Sequence, residues 1–286
     1  MVAHEETLTG LVDPFSDAAA NARYPDSGAG RTLTFQQRQT FLLGTDANGI
    51  ISLVVTPKFN FTTLYQASAA GQVVTWPATY SALGDTSTSL INTYGTAARP
   101  TSIGVRISNT LSATDAAGYL VIAKGGPPTV SSTTTFNPSN FSSYDIHPYE
   151  HGEEWHTVAA PRGDSAYVMV ERAAFDSNTD VPLQGWESIY IALFGSKAGV
   201  TAGIVEIYTN YEYVASEDAP IAQLAVRQPV LNVGMQTAIN EVQSAHQGSH
   251  KGGTHIVKAF LKKEGKKALL KHVLPFVTKK ATQLLL

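Results

Sequence analysis

The 286-residue chain contains no cysteine, which excludes disulfides, thiolate metal sites and a thiol nucleophile. That absence suits assembly in a reducing compartment. The chain also lacks any uninterrupted apolar run of the ~18 residues that a membrane-spanning helix needs. Its first residues, "MVAHEETLTG", have neither the basic nor the apolar region of a signal peptide, so a soluble chain without an export route is expected. Catalytic signatures are missing too. There is no G-x-S-x-G, no P-loop and no G-x-G-x-x-G, and no spacing of Ser, His and Asp nominates a triad. A non-enzyme is expected. Cations are scarce over most of the length: residues 1–250 hold 11 Lys+Arg against 22 Asp+Glu, a net of -11.

The missing cations are found at one end. Residues 251–286 hold nine lysines, no arginine and the single acid Glu264, a net of +8. A split this sharp suggests an acidic body with a basic tail for an anionic partner, nucleic acid or a membrane surface.

The body reads as strands. With 43% hydrophobic and 15% charged residues the chain can bury a full core. Eight segments rich in β-branched and aromatic residues are bounded by Gly, Pro, Asp and Ser. They are "RTLTFQQRQTFLLG", "ANGIISLVVTP", "SIGVRISNTL", "AGYLVIAKGG", the weaker "EEWHTVAAP", "SAYVMVERAAF", "GWESIYIALFG" and "AGIVEIYTNYEYV". Short hairpins join the first and second, third and fourth, and seventh and eighth, and long excursions separate the others. That alternation predicts an all-β, eight-stranded antiparallel jelly roll of two Greek-key sheets, with short helical insertions and a C-terminal amphipathic basic helix. "SALGDTSTSLINTYG" suggests one such helix, and "VSSTTTFNPSNFSS" reads as polar surface. The expected organisation is an N-terminal arm over 1–30, a jelly-roll domain over 31–220, a partly helical segment and Gly/Ser/His linker over 221–250, and the basic tail over 251–286.

Three stretches carry a family likeness. "DPFSDAAANARYPDSGAGRTLTFQQR" from Asp13, "ARPTSIGVRISNTLSATDAAGYLVIAKG" from Ala98 and "VEIYTNYEYVASEDAP" from Val205 occur in this order and spacing. Together they resemble coat proteins of the noda-like and tombus-like small RNA viruses. In those proteins a Pro-Phe-Ser-Asp-type segment precedes the first strand, and the last strand ends in Asn-x-Glu. The resemblance implies a homo-oligomeric subunit of an icosahedral shell around single-stranded RNA. Such a subunit is assembled in the host cytoplasm and resides in the virion. Relatives often carry a basic N-terminal arm; here residues 1–30 have only Arg23 beside Glu5, Glu6, Asp13, Asp17 and Asp26. The RNA-facing role then falls to the tail.

Three readings of that tail stand side by side. Lys251, Lys258, Lys262, Lys263, Lys266, Lys267, Lys271, Lys279 and Lys280 neutralise RNA phosphates by counterion release. Alternatively, the same lysines back an apolar stripe (Leu270, Val273, Leu274, Val277) that lies in a host membrane, as the lytic C-terminal peptides of nodaviruses do. In the third reading the stripe simply docks under the shell. The lack of arginine favours non-specific neutralisation over reading a particular RNA sequence.

The remaining candidates are few. "HPYEHGEEWH" gathers His147, His151 and His156 with three glutamates, a loop expected to gain charge near the imidazole pKa and a lesser candidate for a metal. No cofactor is required, but Ca2+ is common at subunit contacts of related shells. Asp176, Asp180, Glu217 and Asp218 are the carboxylates available for it. Nodavirus-like shells also cleave after an asparagine near the C-terminus, which nominates Asn232 or Asn240. "PRGDS" at Pro161 is turn chemistry, and the cellular receptor is unknown. The competing function is a jelly-roll carbohydrate- or receptor-binding module with a membrane-associating tail, using Trp76, Trp155 and Trp186 as stacking platforms.

Overall fold

The computed structural model describes residues 2–25, 30–57, 62–78, 81–82, 93–171, 185–228, 237 and 239–240. Among the described residues, α1 (Val2–Val12) and α2 (Asp17–Ala20) precede fourteen strands. The strands are β1 (Arg31–Gly44), β2 (Ile51–Pro57), β3 (Thr62–Ala70), β4 (Val73–Thr75), β5 (Ser81–Ala82), β6 (Gly95–Asn109) and β7 (Tyr119–Gly125). They continue as β8 (Thr133–Thr135), β9 (Ser143–Pro148), β10 (Glu154–Ala159), β11 (Val170–Glu171), β12 (Ser188–Phe194), β13 (Thr201–Ala215) and β14 (Val226–Arg227).

They form two antiparallel sheets. The first runs β10-β6-β13-β1-β14, with β11 on β6; the second runs β8-β4-β3-β2-β12-β7-β9, with β5 on β3. Sequence neighbours β1/β2, β6/β7, β9/β10 and β12/β13 fall in opposite sheets, the double Greek key of a jelly roll. The connections are tight where glycine permits it. Between β1 and β2, Gly49 has φ 71° and a Cβ there would lie 1.9 Å from the Ser196 carbonyl. Asp46 Oδ1 accepts the amides of Asn48 and Ile50, each at 2.8 Å, to close the same turn.

Period-two alternation fills the space between the sheets. Leu43, Leu53, Val55, Ile103, Val105, Ile107, Leu120, Ile189, Ile191, Leu193, Val205 and Ile207 are all buried there. The second sheet is covered on its other face as well. Val54, Val121, Ala123, Tyr190, Ala192 and Phe194 project that way and are packed by Val74, Trp76 and Phe136. Burial on both faces explains why "SIYIALF" in β12 reads as an unbroken apolar run.

Several expectations are corrected. "SAYVMVERAAF" departs from the expected strand over its described part: Asp164–Tyr167 make a 3₁₀ turn and Val170–Glu171 pair briefly with β6, while residues 172–175 lie outside the described residues. A strand the sequence did not suggest, β9 ("SYDIHP"), completes the second sheet beside β7. As an edge strand paired only with β7, β9 leaves Ile146 58% exposed and shows little apolar periodicity. "VSSTTTFNPSNFSS" is not merely surface, because it forms β8 and buries Phe136 to 1%. Of "SALGDTSTSLINTYG", where a short helix is expected, Ser81–Ala82 form β5 and Thr93–Tyr94 are helical; residues 83–92 lie outside the described residues. The N-terminal arm contains α1, whose Leu8, Leu11 and Val12 are buried.

Candidate functional site

Alternation along β13 points Glu206, Tyr208, Asn210 and Glu212 away from the inter-sheet core. The N-terminal segment crosses this outer face. Gly104 on β6 makes room for it, since a Cβ there would meet Pro14 Cγ at 2.4 Å and Phe15 Cζ at 2.7 Å. Asn210 Nδ2 donates to the Pro14 carbonyl at 3.1 Å and to Ser102 Oγ at 2.7 Å. Its Oδ1 accepts from Gln36 Nε2 at 2.9 Å. Phe15 then packs edge-on against Tyr208, with ring centroids 5.0 Å apart, and against His156 at 5.6 Å.

Glu212 is the centre of a fully buried network. Its carboxylate accepts from Tyr24 N at 3.1 Å, Thr32 Oγ1 at 2.7 Å and Gln228 Nε2 at 2.9 Å. Arg99 adds two more bonds, from Nε at 3.0 Å and Nη2 at 2.9 Å. Arg99 also donates to the carbonyls of Tyr24 and Tyr167 and lies over the Tyr24 ring. Burial pushes the Tyr24 phenol well above its usual range, and its hydroxyl donates to the Thr101 carbonyl at 2.9 Å. A buried carboxylate left bare would cost several kcal/mol; one saturated with donors holds its surroundings in place. The Asn-x-Glu and Pro-Phe-Ser-Asp stretches are thus two halves of one anchor, an arrangement suited to structure rather than proton transfer.

Nearer solvent, Arg38 pairs with Glu206, and Arg106 bridges Glu206 at 3.4 Å and Glu154 at 3.8 Å. His156 Nε2 contacts Glu154 at 2.5 Å. The three histidines are not brought together. His147 on β9 sits against Trp155, His151 in the following turn contacts the Leu111 carbonyl, and His156 is on β10. Among the described residues no three His, Asp or Glu side chains gather as a metal site.

Glu217 and Asp218 are exposed in the turn after β13, and Asn240 is exposed beside the buried Ile239. Asp176, Asp180, Asn232 and all nine tail lysines lie outside the described residues. Pro161–Ser165 is a turn, with Arg162 N bonded to the Gly185 carbonyl and Ala166 N to that of Gly163. The tryptophans are core, not platforms: Trp76, Trp155 and Trp186 are 1%, 9% and 1% exposed.

One feature has no signal in the sequence. Where β1 begins and β13 ends, an open groove of about 500 Å³ is lined by Arg31, Val214, Ala215, Glu217, Ala222, Gln223 and Ala225. Residues nearly 200 positions apart build it, so no local pattern announces it.

No protein-family model matches the sequence, and no curated protein sequence matches it. The fold does find solved counterparts. The VP2 subviral particle of infectious bursal disease virus superposes with TM-score 0.56 at 7% identity, over 91% of this chain and 99% of that one. The Gt strain of the same virus gives 0.53 at 9% identity, over 90% and 99%. The T=1 particles derived from that virus give 0.51 at 8% identity, over 90% and 95%. At these identities the likeness is one of fold: the chain has a viral capsid-like architecture.

Proposed function

We propose that this chain is the shell subunit of a small icosahedral virus, assembling with copies of itself around single-stranded RNA. One observation carries the reading: the two-sheet body superposes, along most of both chains, on a protein solved as a subviral particle. The finer likeness to noda-like and tombus-like coats is supported by the contact between their two shared stretches at Asn210 and Glu212.

The distribution of charge fits the same reading. The N-terminal segment is held to the sheet by Pro14 and Tyr24 and carries few bases, so it does not serve as an RNA arm. The nine lysines of residues 251–286 take that role inside the shell, and their apolar stripe acts on host membranes during entry.

Electron microscopy with an absorbance spectrum tests it, on the full chain and on one ending at Ser249. Uniform RNA-filled shells from the full chain, and empty or aberrant ones from the truncation, are expected. A small monodisperse species under every condition overturns the reading.

A further inference from the structure

The register of β14 on β1 sets Arg227 directly opposite Arg31. Both side chains are exposed, and among the described residues neither is ion-paired. Arg38, Arg99, Arg106 and Lys197, by contrast, are each matched with a carboxylate. Like charges placed directly opposite across antiparallel strands repel, and the repulsion is relieved when an anion bridges them. Guanidinium groups suit that task, since each offers a planar fork to a phosphate.

Arg31 lines the groove of about 500 Å³, and Arg227, its partner across the strands, follows the lining residue Ala225 by two positions. That volume is the size of a small-ligand site. Val214, Ala215, Ala222 and Ala225 give it apolar surface, and Gln223 and Glu217 add polar groups. We propose that this groove holds one nucleotide of a single-stranded nucleic acid. Its phosphate bridges Arg31 and Arg227, its base lies on the apolar lining, and Gln223 and Glu217 bond the base edge or ribose hydroxyls. The inference rests on the capsid reading and deepens it: the tail supplies bulk charge, while the fork fixes where the strand meets the body.

The test uses the full-length chain, a fluorescent oligouridylate and a salt series, comparing wild type with Arg31→Gln/Arg227→Gln and Arg31→Lys/Arg227→Lys. One bridged phosphate at ~0.7 predicts that the slope of log K against log salt falls by about 0.7 in the Gln pair. The Lys pair keeps the slope but binds more weakly. Competition by uridine monophosphate assigns recognition to a single nucleotide; competition by the oligomer alone assigns it to the chain. Equal slopes and affinities in all three proteins overturn the proposal. So does an unchanged slope accompanied by altered particle size, which would make the groove a contact between subunits. Particle formation by wild type is read separately by microscopy, so failure of the capsid reading is not confused with failure of the fork.

Discussion

Glu212 and Arg99 show how a few side chains hold two distant parts of the chain together. Both are buried, and their bonds reach Tyr24, Thr32, Tyr167 and Gln228. Removing one member leaves the other charge buried without its partner, which costs about 3–5 kcal/mol. Glu212→Ala should therefore lower the thermal midpoint sharply, whereas Arg38→Ala at an exposed pair should leave it nearly unchanged; equal effects would contradict the anchor role. Tyr149 offers a pH-dependent counterpart. Burial raises its phenol to about 12, and its hydroxyl donates to the Ala202 carbonyl at 2.8 Å. A folded-state pKa above the unfolded value of ~10 means the contribution is complete below pH ~10 and is lost as pH rises through the folded value. Tyr149→Phe should be less stable than wild type at neutral pH, by about 1 kcal/mol for the lost hydrogen bond. The gap should narrow between pH 10 and 12, as read by denaturant titration.

The elements divide by how many faces they bury. β6 and β13 alternate buried and half-buried residues where their outer face is less covered, so Val105, Ile107, Val205 and Ile207 announced their strands in the sequence. Elsewhere along both strands the N-terminal segment covers the outer face and burial is continuous. β12 was legible for another reason, since burial on both faces leaves it almost wholly apolar. β9 was not, because one neighbour and an exposed Ile146 leave no pattern to read. Phe136 was hidden among Ser, Thr and Asn because its stretch lends the covering layer only isolated large side chains, Phe136 and Phe141, with no apolar period between them. Of the candidate site, the Asn-x-Glu signature was visible but its partner was not, since Pro14 and Tyr24 join it only in three dimensions. That junction makes an element-level prediction. Gly104→Val places side-chain carbon where Pro14 and Phe15 now lie, and overpacking of this kind costs about 1–3 kcal/mol. The N-terminal segment should detach while the sheets persist. Limited proteolysis should then cut before residue 25 with the far-ultraviolet circular dichroism unchanged; a protected N-terminus would contradict the packing.

At the scale of the whole molecule, charge separation makes assembly depend on salt in a direction that identifies its driver. The full chain has a net charge of -3, but this is the balance of a -11 body and a +8 tail. When RNA bound by the tails draws subunits together, added salt weakens that attraction by returning counterions to the phosphates. Without residues 250–286, the same bodies meet as like-charged surfaces, and salt favours association by screening them; the Debye length falls from about 10 Å at 0.1 M to 3 Å at 1 M. Light scattering across a sodium chloride series should therefore show opposite trends. Full-length chain with RNA should assemble best at low salt, and the chain ending at Ser249 should assemble only as salt rises. If both trends fall with salt, an attraction between bodies outweighs their common charge, and the tail is not what recruits the RNA. If both rise, hydrophobic contact between subunits drives closure, and the lysines act elsewhere, at the membrane.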